Sequence, residues 1–291
     1  MALAVFDIGG TAVKYGIWSD DHVEQQDKFQ TPDNWEQMKV ELSRIFNALQ
    51  EKTTEKFSGA AFSCPGAVDS EAGVINGFSA VPYIHNIPIQ TELSGLLGVP
   101  VSIENDANCA ALAEVAYGAA RDVDNALFIV IGSGIGGAVI INKELIKGKN
   151  LFGGEFGFML LEGEASFSDL ASPVRAASRY TEELGLPKGT ISGKELFAHA
   201  EENEPIAVRY VENLKNNLAR GIHTLLVALN PEKVVIGGAI SARKELIPEV
   251  TERIHHLLKK TNATDVEVNV VPCHYNNDAN LIGAVVAFDK C

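Results

Sequence analysis

Cysteine is scarce and scattered in this chain. No two of the four cysteines form a CxxC pair, and they lie at Cys64, Cys109, Cys273 and Cys291. A structural zinc site or a disulfide framework needs cysteines in a recognisable spacing. We therefore expect neither kind of site in this protein.

The chain also lacks a long apolar run and an excess of positive charge. No apolar stretch reaches the roughly 18–20 residues that a membrane-spanning helix needs. The formal net charge is −14 at pH 7, and an acidic chain repels the phosphates of nucleic acids and of anionic membranes. The amino terminus runs directly into a strand-like stretch, 2–6, without a secretory signal. We expect a soluble, cytoplasmic protein that binds neither nucleic acid nor membrane.

The chain does have ample apolar material, arranged in alternating strand and helix patterns. Of its 291 residues, 46% are hydrophobic and 21% are charged, which is an ordinary globular composition. The length suits one large domain or two modest ones. Strands that alternate with helices predict an α/β fold. The predicted helices are 35–50, 107–117, 206–229, 245–260 and 281–288.

Glycine clusters mark the ends of three predicted strands. Each follows a β-type apolar run directly, and they are Gly9-Gly10, Gly132–Gly137 and Gly237-Gly238. Glycine at such a place permits positive φ and a close approach of the backbone to a ligand. The first two clusters continue into strand-like segments, 13–17 and 138–141, so the chain twice reads strand, glycine turn, strand. This weak repeat predicts two halves of similar topology, with a boundary near 117–124.

The first glycine cluster predicts a phosphate-binding turn. It belongs to the segment Asp7-Ile8-Gly9-Gly10-Thr11, which Lys14 follows. Gly9 and Gly10 leave backbone N–H groups unobstructed, and Thr11 adds a hydroxyl donor. Asp7 at the strand end is suited to hold Mg²⁺ through water. Taken alone, the segment is equally compatible with a plain β-hairpin turn.

The second cluster predicts a phosphate loop of a different kind from the common ones. The segment Gly132-Ser133-Gly134-Ile135-Gly136-Gly137 contains a GxGxxG pattern. A dinucleotide fingerprint would open a helix, but the chain continues here as a strand. No Gly-Lys-Ser/Thr follows, so the segment is not a Walker A loop either. A hairpin loop that binds phosphate is favoured over a bare glycine turn.

The third cluster, Gly237-Gly238, lies between a predicted strand and a predicted helix. Its bare backbone is suited to the purine or ribose of a nucleotide, although a plain strand-to-helix turn is equally compatible. Three glycine turns at strand ends are more specific together than singly. They predict an ATP site in a cleft between two related domains.

The order of the motifs resembles that of the ROK family (repressors, open reading frames, sugar kinases). The matching segments cover essentially the whole chain, and they are 7–11, 63–69, 104–108, 132–137, 154–157 and 277–284. The resemblance implies an α/β fold of the actin/hexokinase/Hsp70-like ATPase type, with two related domains around a central cleft. The smaller domain would comprise 1–118, with 279–291 packed back on it, and 119–278 would bind nucleotide and form the dimer interface. Kinases of the family use Mg-ATP and are commonly dimers, so a homodimer is expected.

The resemblance also assigns roles to individual residues. It makes Asp106 the catalytic base, since a positioned carboxylate can accept the proton of a sugar hydroxyl as the bond to the γ-phosphoryl group forms. From the sequence alone, an N-cap of the Ala-rich helix is the favoured role for Asp106. Asn105, Glu155 and Gly66 are implied as sugar-binding residues. The alternatives are a turn residue for Asn105 and a solvated charge for Glu155.

The chain departs from many ROK kinases after the Gly-Glu-x-Gly element. The family's histidine is replaced by Phe158, its cysteine-rich zinc loop is missing, and its following glutamate aligns with Ser168. No zinc is therefore expected. The two replacements remove polar contacts near the anomeric end of the sugar and leave an apolar platform with room for a C1 substituent. Together with a resemblance of 154–160 to bacterial β-glucoside kinases, they favour a β-glucoside such as cellobiose; the alternative is that Phe158 merely fills core space.

Other functions stay open at this point. N-acetylmannosamine kinase, glucokinase and fructokinase usually belong to the subfamilies with a zinc loop, so the missing cysteines count against them. ROK repressors carry a helix-turn-helix domain before the first glycine motif, whereas only six residues precede Asp7 here. A transcriptional regulator is therefore not expected, and the presence of Asp106 argues against an inactive sugar sensor.

Overall fold

The computed structural model describes residues 2–275 and 278–290 of the 291-residue chain. Contacts divide these residues into two compact units. Unit 1 consists of residues 2–118, 148–152 and 278–290, and unit 2 consists of residues 119–147 and 153–275. Across the described ranges, no helix is both long enough and apolar enough to span a bilayer.

Strands and helices alternate along the chain. Up to residue 118 the elements are β1 (Leu3–Ile8), β2 (Ala12–Ser19), β3 (His22–Gln30), α1 (Trp35–Gln50), β4 (Gly59–Cys64), β5 (Ala67–Asp69), β6 (Val74–Asn76), α2 (Ile89–Leu97), β7 (Val101–Asn105) and α3 (Asp106–Ala116). Beyond it they are β8 (Ala126–Ile131), β9 (Ile135–Ile141), β10 (Glu144–Leu145), β11 (Leu160–Glu162), β12 (Ala165–Ser166), α4 (Phe167–Ala171), α5 (Pro173–Glu183), α6 (Gly193–Glu201), α7 (Pro205–Leu229), β13 (Lys233–Gly237), α8 (Leu246–Lys260), β14 (Val270–Pro272) and α9 (Ala279–Phe288). Short 3₁₀ turns lie at Pro82–Ile84, Phe156–Phe158 and Ala239–Ala242.

Unit 1 is built on a sheet with the strand order β3-β2-β1-β4-β7. Strand β1 pairs antiparallel with β2 and parallel with β4, and β4 pairs parallel with β7. Strands β1 and β4 are buried along their whole length, which is why they read as continuous apolar runs. Helix α9 packs against α3 and against β1, β4 and β7 of the same unit.

Unit 2 repeats the arrangement with the strand order β10-β9-β8-β13-β14. Strand β8 pairs antiparallel with β9 and parallel with β13, which in turn pairs parallel with β14. Each unit thus places an antiparallel three-stranded meander beside two parallel strands. The predicted repeat of strand, glycine turn and strand is confirmed as the hairpins β1–β2 and β8–β9.

The predicted helices are confirmed with small shifts at their ends. Helix α1 has the predicted bounds. Helix α7 begins at Pro205, one residue before the predicted start, because the Glu204 side chain accepts from the first backbone N–H groups and proline suits the first helical position. It ends at Leu229 because Asn230 adopts a left-handed conformation with φ 43°.

Candidate active site

Asp7 is fixed at the end of β1 by three side chains of unit 1. The strand register places it opposite Lys14 on β2 and Ser63 on β4. Ser63 Oγ donates to Asp7 Oδ1 at 2.8 Å, and Asn280 Nδ2 on α9 donates to the same oxygen at 3.1 Å. Lys14 Nζ lies 3.9 Å from Asp7 Oδ2. The buried carboxylate is therefore held in one orientation, with Oδ1 engaged by two donors.

Gly9 and Gly10 form the turn between β1 and β2. Gly9 N donates to Ala12 O at 3.1 Å, and a Cβ on Gly10 would lie 2.6 Å from Ala80 Cβ. Neither residue has a positive φ. This turn needs glycine because of close approach and not because of a positive φ. Gly10 and Thr11 are exposed, as a turn that receives a phosphate requires.

The junction of β7 and α3 separates the roles of Asn105 and Asp106. The N-cap of α3 is Asn105, whose Oδ1 accepts from Asn108 N at 3.1 Å. Asp106 is the first helical residue, and its Oδ1 accepts from Ala107 N at 2.8 Å. The interpretation of Asp106 as the N-cap is therefore wrong, because the neighbouring asparagine makes the capping bond. Asn105 Nδ2 donates to Gly66 O at 2.9 Å, so one side chain closes the helix and holds the segment that contains Gly66.

Gly66 begins a segment, 66–85, that we call the arm. Its φ of +107° is a conformation that glycine adopts without strain. A Cβ there would lie 2.7 Å from His85 Cε1 and 2.9 Å from Ile75 Cγ2. The ring of His85 is held by Ser79 Oγ, 2.6 Å from Nε2, and by Asn76 O, 3.1 Å from Nδ1. The arm is thus closed on itself around a buried histidine.

Two serine hydroxyls of unit 2 form hydrogen bonds with the backbone of the loop between β8 and β9. Gly132 N donates to Gly134 O at 2.9 Å, which closes the turn. Ser172 Oγ donates to Gly132 O at 2.8 Å, and Ile135 N donates to Ser168 Oγ at 2.9 Å. Gly132 and Ser133 are exposed. Ser168 is buried and lies beneath the predicted phosphate loop, where its oxygen accepts a backbone N–H.

The segment that carries Glu155 packs directly on β9. Gly136 and Gly137 pair with β8 in the hairpin ladder, and a Cβ on Gly137 would lie 2.4 Å from the Phe156 ring. A Cβ on Gly154 would lie 2.6 Å from Gly137 O. The predicted sugar ligand Glu155 and the predicted phosphate loop are therefore parts of one packed assembly within unit 2.

Gly237 and Gly238 end β13 beside the end of β8. Gly238 has φ +89°, and a Cβ there would lie 2.1 Å from Ile131 O. Within the described residues, Gly238 is the one glycine of the three clusters that has a positive φ. An apolar cavity of about 270 Å³ adjoins the two strand ends. Its lining includes Ile131, Gly132, Val174, Phe197, Ile240 and Arg243.

Phe158 and Ser168 have different surroundings. The side chain of Phe158 is 67% exposed, so the alternative that it fills core space is wrong. Ser168 is buried and bonded to the loop, as described above. The roles predicted for the two residues toward the C1 substituent of a sugar stay predictions.

Cys64 and Cys109 are buried thiols. Burial raises the pKa of both thiols well above the usual value, and the charges of Asp7, Glu104 and Asp106 raise them further. A buried thiol with a raised pKa forms little thiolate and reacts slowly. Both cysteines therefore act as small core residues.

Three residues of this site, Ser63, Asn280 and His85, were not predicted individually from the sequence. Ser63 and Asn280 lie inside quoted motifs, but only the pairing of β1 with β4 and the packing of α9 bring them to Asp7. His85 stands alone in the sequence, without a neighbouring motif. The available signal was Ser63, a serine that lies opposite the strand-end Asp7. It can be recognised only when the pairing of β1 with β4 is already known.

Glu155 is half-buried, and its carboxyl has a raised pKa because burial disfavours the charged form relative to the ordinary value of 4.5. The folded protein then binds this proton at a higher pH than the unfolded chain does. The free energy of unfolding contributed by Glu155 must fall as pH rises from below 4.5 through the raised pKa. We expect Glu155→Gln to melt at the same or a higher temperature than the wild type at pH 7, and this advantage to vanish below pH 4.5.

Melting curves at pH 7 and pH 4 test this expectation. Glu164→Gln is the matched control, because Glu164 is an exposed glutamate of the same unit and its replacement should change little at either pH. A large loss of stability in Glu155→Gln at pH 7 would mean that the charged carboxylate stabilises the fold instead of straining it.

Comparisons with known proteins agree with the fold and with the motif order. The model of the ROK family matches residues 3–290. A β-glucoside kinase from Listeria monocytogenes is 31% identical over 297 residues, which cover 99% of this chain and 97% of that protein. An N-acetyl-D-glucosamine kinase from Yersinia enterocolitica is 30% identical over 285 residues, with 90% of this chain and 92% of the relative covered.

A solved structure of a similar protein supports the assignment of the fold. A ROK family protein from Streptococcus pneumoniae TIGR4, in complex with sucrose, superposes with a TM-score of 0.89 at 34% identity, covering 100% of this chain and 98% of that one. The predicted α/β fold of the actin/hexokinase/Hsp70-like type is thereby confirmed, in agreement with the matching strand orders of the two units. This chain is a member of the ROK family.

Proposed function

We propose that this protein is an ATP-dependent sugar kinase that phosphorylates O6 of the glucosyl unit of a β-glucoside such as cellobiose and releases a 6-phospho-β-glucoside. The observation that carries the proposal is the position of Asp106. It is the first residue of α3, while the helix cap is made by Asn105. Membership of the ROK family and the β-glucoside kinase among its relatives support the same activity.

In the proposed mechanism, Asp106 accepts the proton of the sugar O6 hydroxyl. The bond from O6 to the γ-phosphorus forms as the bond from that phosphorus to the ADP oxygen breaks, and the proton passes from Asp106 to water afterwards. Asn105 and Glu155 orient the sugar through its other hydroxyls. Asn105 retains one amide N–H and one lone pair beyond the two hydrogen bonds described, which is enough for one hydroxyl group.

ATP would be bound by backbone groups at the glycine turns. Because Gly9 N–H and Gly132 N–H are used inside their own turns, the candidate phosphate donors are the amides of Gly10, Thr11, Ser133 and Gly134. The apolar cavity beside Gly238 suits the flat faces of a nucleobase. Arg243 forms part of its wall, with the guanidinium carbon 4.4 Å from the centre of the Phe197 ring.

The residues present fit Mg²⁺ bound together with ATP. Among residues 2–275 and 278–290, no group of three or more Asp, Glu, His or Cys side chains could hold a metal ion. Mg²⁺ commonly needs only one or two carboxylates when substrate phosphates supply the rest, and it keeps several waters. Asp7 would hold it through water beside the first phosphate turn. When bound, the ion offsets negative charge on the phosphates.

Preference for a glycoside is proposed from Phe158. An exposed aromatic ring in the segment that carries Glu155 is suited to stack on a second sugar ring or on an aryl aglycone. An aromatic pair contributes about 0.5–1.5 kcal/mol, so we expect Phe158→Ala to raise the KM for an aryl β-glucoside by about two- to tenfold. The KM for glucose should change little, because glucose has no aglycone.

ADP release with Mg-ATP tests the proposal, with glucose, N-acetylmannosamine, fructose, cellobiose and an aryl β-glucoside as acceptors. Leu160→Ala is the control for Phe158→Ala, since Leu160 is a neighbouring apolar side chain with 65% exposure. Preference of the wild type for a free monosaccharide would overturn the glycoside specificity and keep the kinase. No ADP release with any sugar would overturn the kinase itself. The homodimer inferred from the family stays a prediction.

A further inference from the structure

A buried carboxylate lies in the chain directly before the proposed sugar ligand and base. Glu104 is the residue of β7 that precedes Asn105, and it is 4% exposed. Burying a carboxylate costs free energy unless hydrogen bonds replace those to water. The proposed mechanism gives Glu104 no role toward ATP or sugar, so its presence at this place needs a separate explanation.

Glu104 accepts hydrogen bonds from residues that lie before and after Asp106 in the sequence. Glu104 Oε1 accepts from Asn105 N at 2.8 Å, on the residue before Asp106. The same oxygen accepts from Asn108 Nδ2 at 3.0 Å, on the residue two positions after it. One carboxylate oxygen therefore ties together both sides of the turn from which the Asp106 side chain projects.

The second oxygen of Glu104 reaches the arm. Glu104 Oε2 accepts from Ser70 Oγ at 3.2 Å, and Asn105 Nδ2 holds the Gly66 carbonyl at the start of the same arm. Two neighbouring residues at the end of β7 thus anchor the arm at two points. Any rotation of the Asn105–Asp106 turn would have to break hydrogen bonds to the arm as well as those within the turn.

We propose that Glu104 is a positioning residue that fixes the turn bearing Asp106, and that it does so through its hydrogen-bond geometry and not through its charge. The inference rests on the proposed kinase function. Misplacing a catalytic group by about 1 Å can cost about a hundredfold in rate. A residue that sets this position without touching the substrate should change kcat and leave the KM for ATP nearly constant.

Two variants separate geometry from charge. Glu104→Gln retains an oxygen that can accept from Asn105 N and Asn108 Nδ2, and its new NH₂ group can donate to Ser70 Oγ, which is also an acceptor. Glu104→Ala removes both acceptor oxygens and with them all three hydrogen bonds. We expect Glu104→Ala to lower kcat by about a hundredfold with little change in the KM for ATP, and Glu104→Gln to restore kcat to within about threefold of the wild type.

The matched control is Glu114→Ala. Glu114 is also a buried carboxylate, but it lies in α3 at the end far from Asp106. It should lower the melting temperature and leave kcat of the folded enzyme within about twofold. Equal loss of kcat in Glu104→Gln and Glu104→Ala would overturn the proposal, because the charge would then be the essential property. Normal kcat in Glu104→Ala would also overturn it.

Hydrogen exchange gives a readout that does not require turnover and that applies even if Glu104→Ala is poorly stable. The Asn105 amide should lose protection in Glu104→Ala and keep it in Glu104→Gln, relative to other β7 amides. If the wild type phosphorylated no sugar, the proposed function would be wrong. The exchange pattern would still test whether Glu104 fixes the turn at Asn105. Unchanged protection of the Asn105 amide in Glu104→Ala would contradict it.

Discussion

Asp106→Asn is expected to lower kcat by about two to four orders of magnitude, the range that general-base catalysis contributes. Asparagine has nearly the same shape but cannot accept the hydroxyl proton in the transfer step. The KM values for sugar and ATP should stay close to those of the wild type, because Asn105 and Glu155 are the proposed sugar ligands. Steady-state ADP release with the preferred sugar of the acceptor panel measures the effect.

The stability of Asp106→Asn should change little. Asn105 makes the capping bond of α3, and an asparagine oxygen at position 106 can still accept from Ala107 N. The expected loss is the interaction of a charge with the helix dipole, about 0.3–1 kcal/mol. Glu36→Gln is the matched control, because Glu36 is an acidic residue in the first turn of α1 in the same unit. It should lose a similar small stability and no activity. Near-normal kcat in Asp106→Asn would remove Asp106 from the role of base.

Gly283→Ala is expected to destabilise unit 1 by about 1–3 kcal/mol or more, as overpacking does where backbone cannot move aside. A Cβ on Gly283 would lie 1.7 Å from Cys109 O and 2.3 Å from Cys109 C. Helices α9 and α3 must therefore separate to accept one methyl group. The gain from replacing a helical glycine with alanine, about 1 kcal/mol, offsets only part of this cost.

The same substitution should reduce activity in the protein that still folds. Helix α9 carries Asn280, which donates to Asp7, and α3 carries Asp106. Separating the two helices moves both groups relative to the sheet of unit 1. Urea unfolding midpoints and kcat of the same preparation measure the two effects together.

Gly95→Ala is the control for this substitution. Gly95 lies in α2 of the same unit, and a Cβ there would meet nothing within 4 Å. We expect Gly95→Ala to raise the free energy of unfolding by up to about 1 kcal/mol. If Gly283→Ala were as stable as the wild type, α9 would be able to shift along α3 without loss of free energy. The close contact of Gly283 with Cys109 would then not determine how the two helices pack.

The glycine turns show which features could be predicted from neighbouring residues in the sequence. The buried runs before Gly9, Gly132 and Gly237 predicted strands, and the strands are there because a continuous apolar run suits a strand that is covered on both faces. Both reasons for glycine occur, at different positions: Gly10 is needed for its close approach to Ala80, and Gly238 has a positive φ. Which neighbour approaches a glycine is not written in its flanking residues.

Helices were predicted where the apolar spacing was regular and missed where short elements pack among others. Helix α1 has five buried apolar residues at helical spacing and was predicted with its observed bounds. Helices α5 and α6 were not predicted, although a serine caps each of them. Their apolar stripes are short, and the core of unit 2 decides which of their faces are covered.

The sequence by itself determined the family, the repeated hairpins and the main helices of this protein, because hydrophobic period and turn residues act over a few neighbouring positions. The tertiary structure alone decided which residues meet at the site. Ser63 and Asn280 lie 56 and 273 positions from Asp7 yet bond to the same carboxylate oxygen. Asn105 caps α3 with its side-chain oxygen and holds the Gly66 carbonyl with its side-chain nitrogen, so Asp106 does not have the capping role. Such contacts depend on strand order and helix packing, which local patterns do not encode.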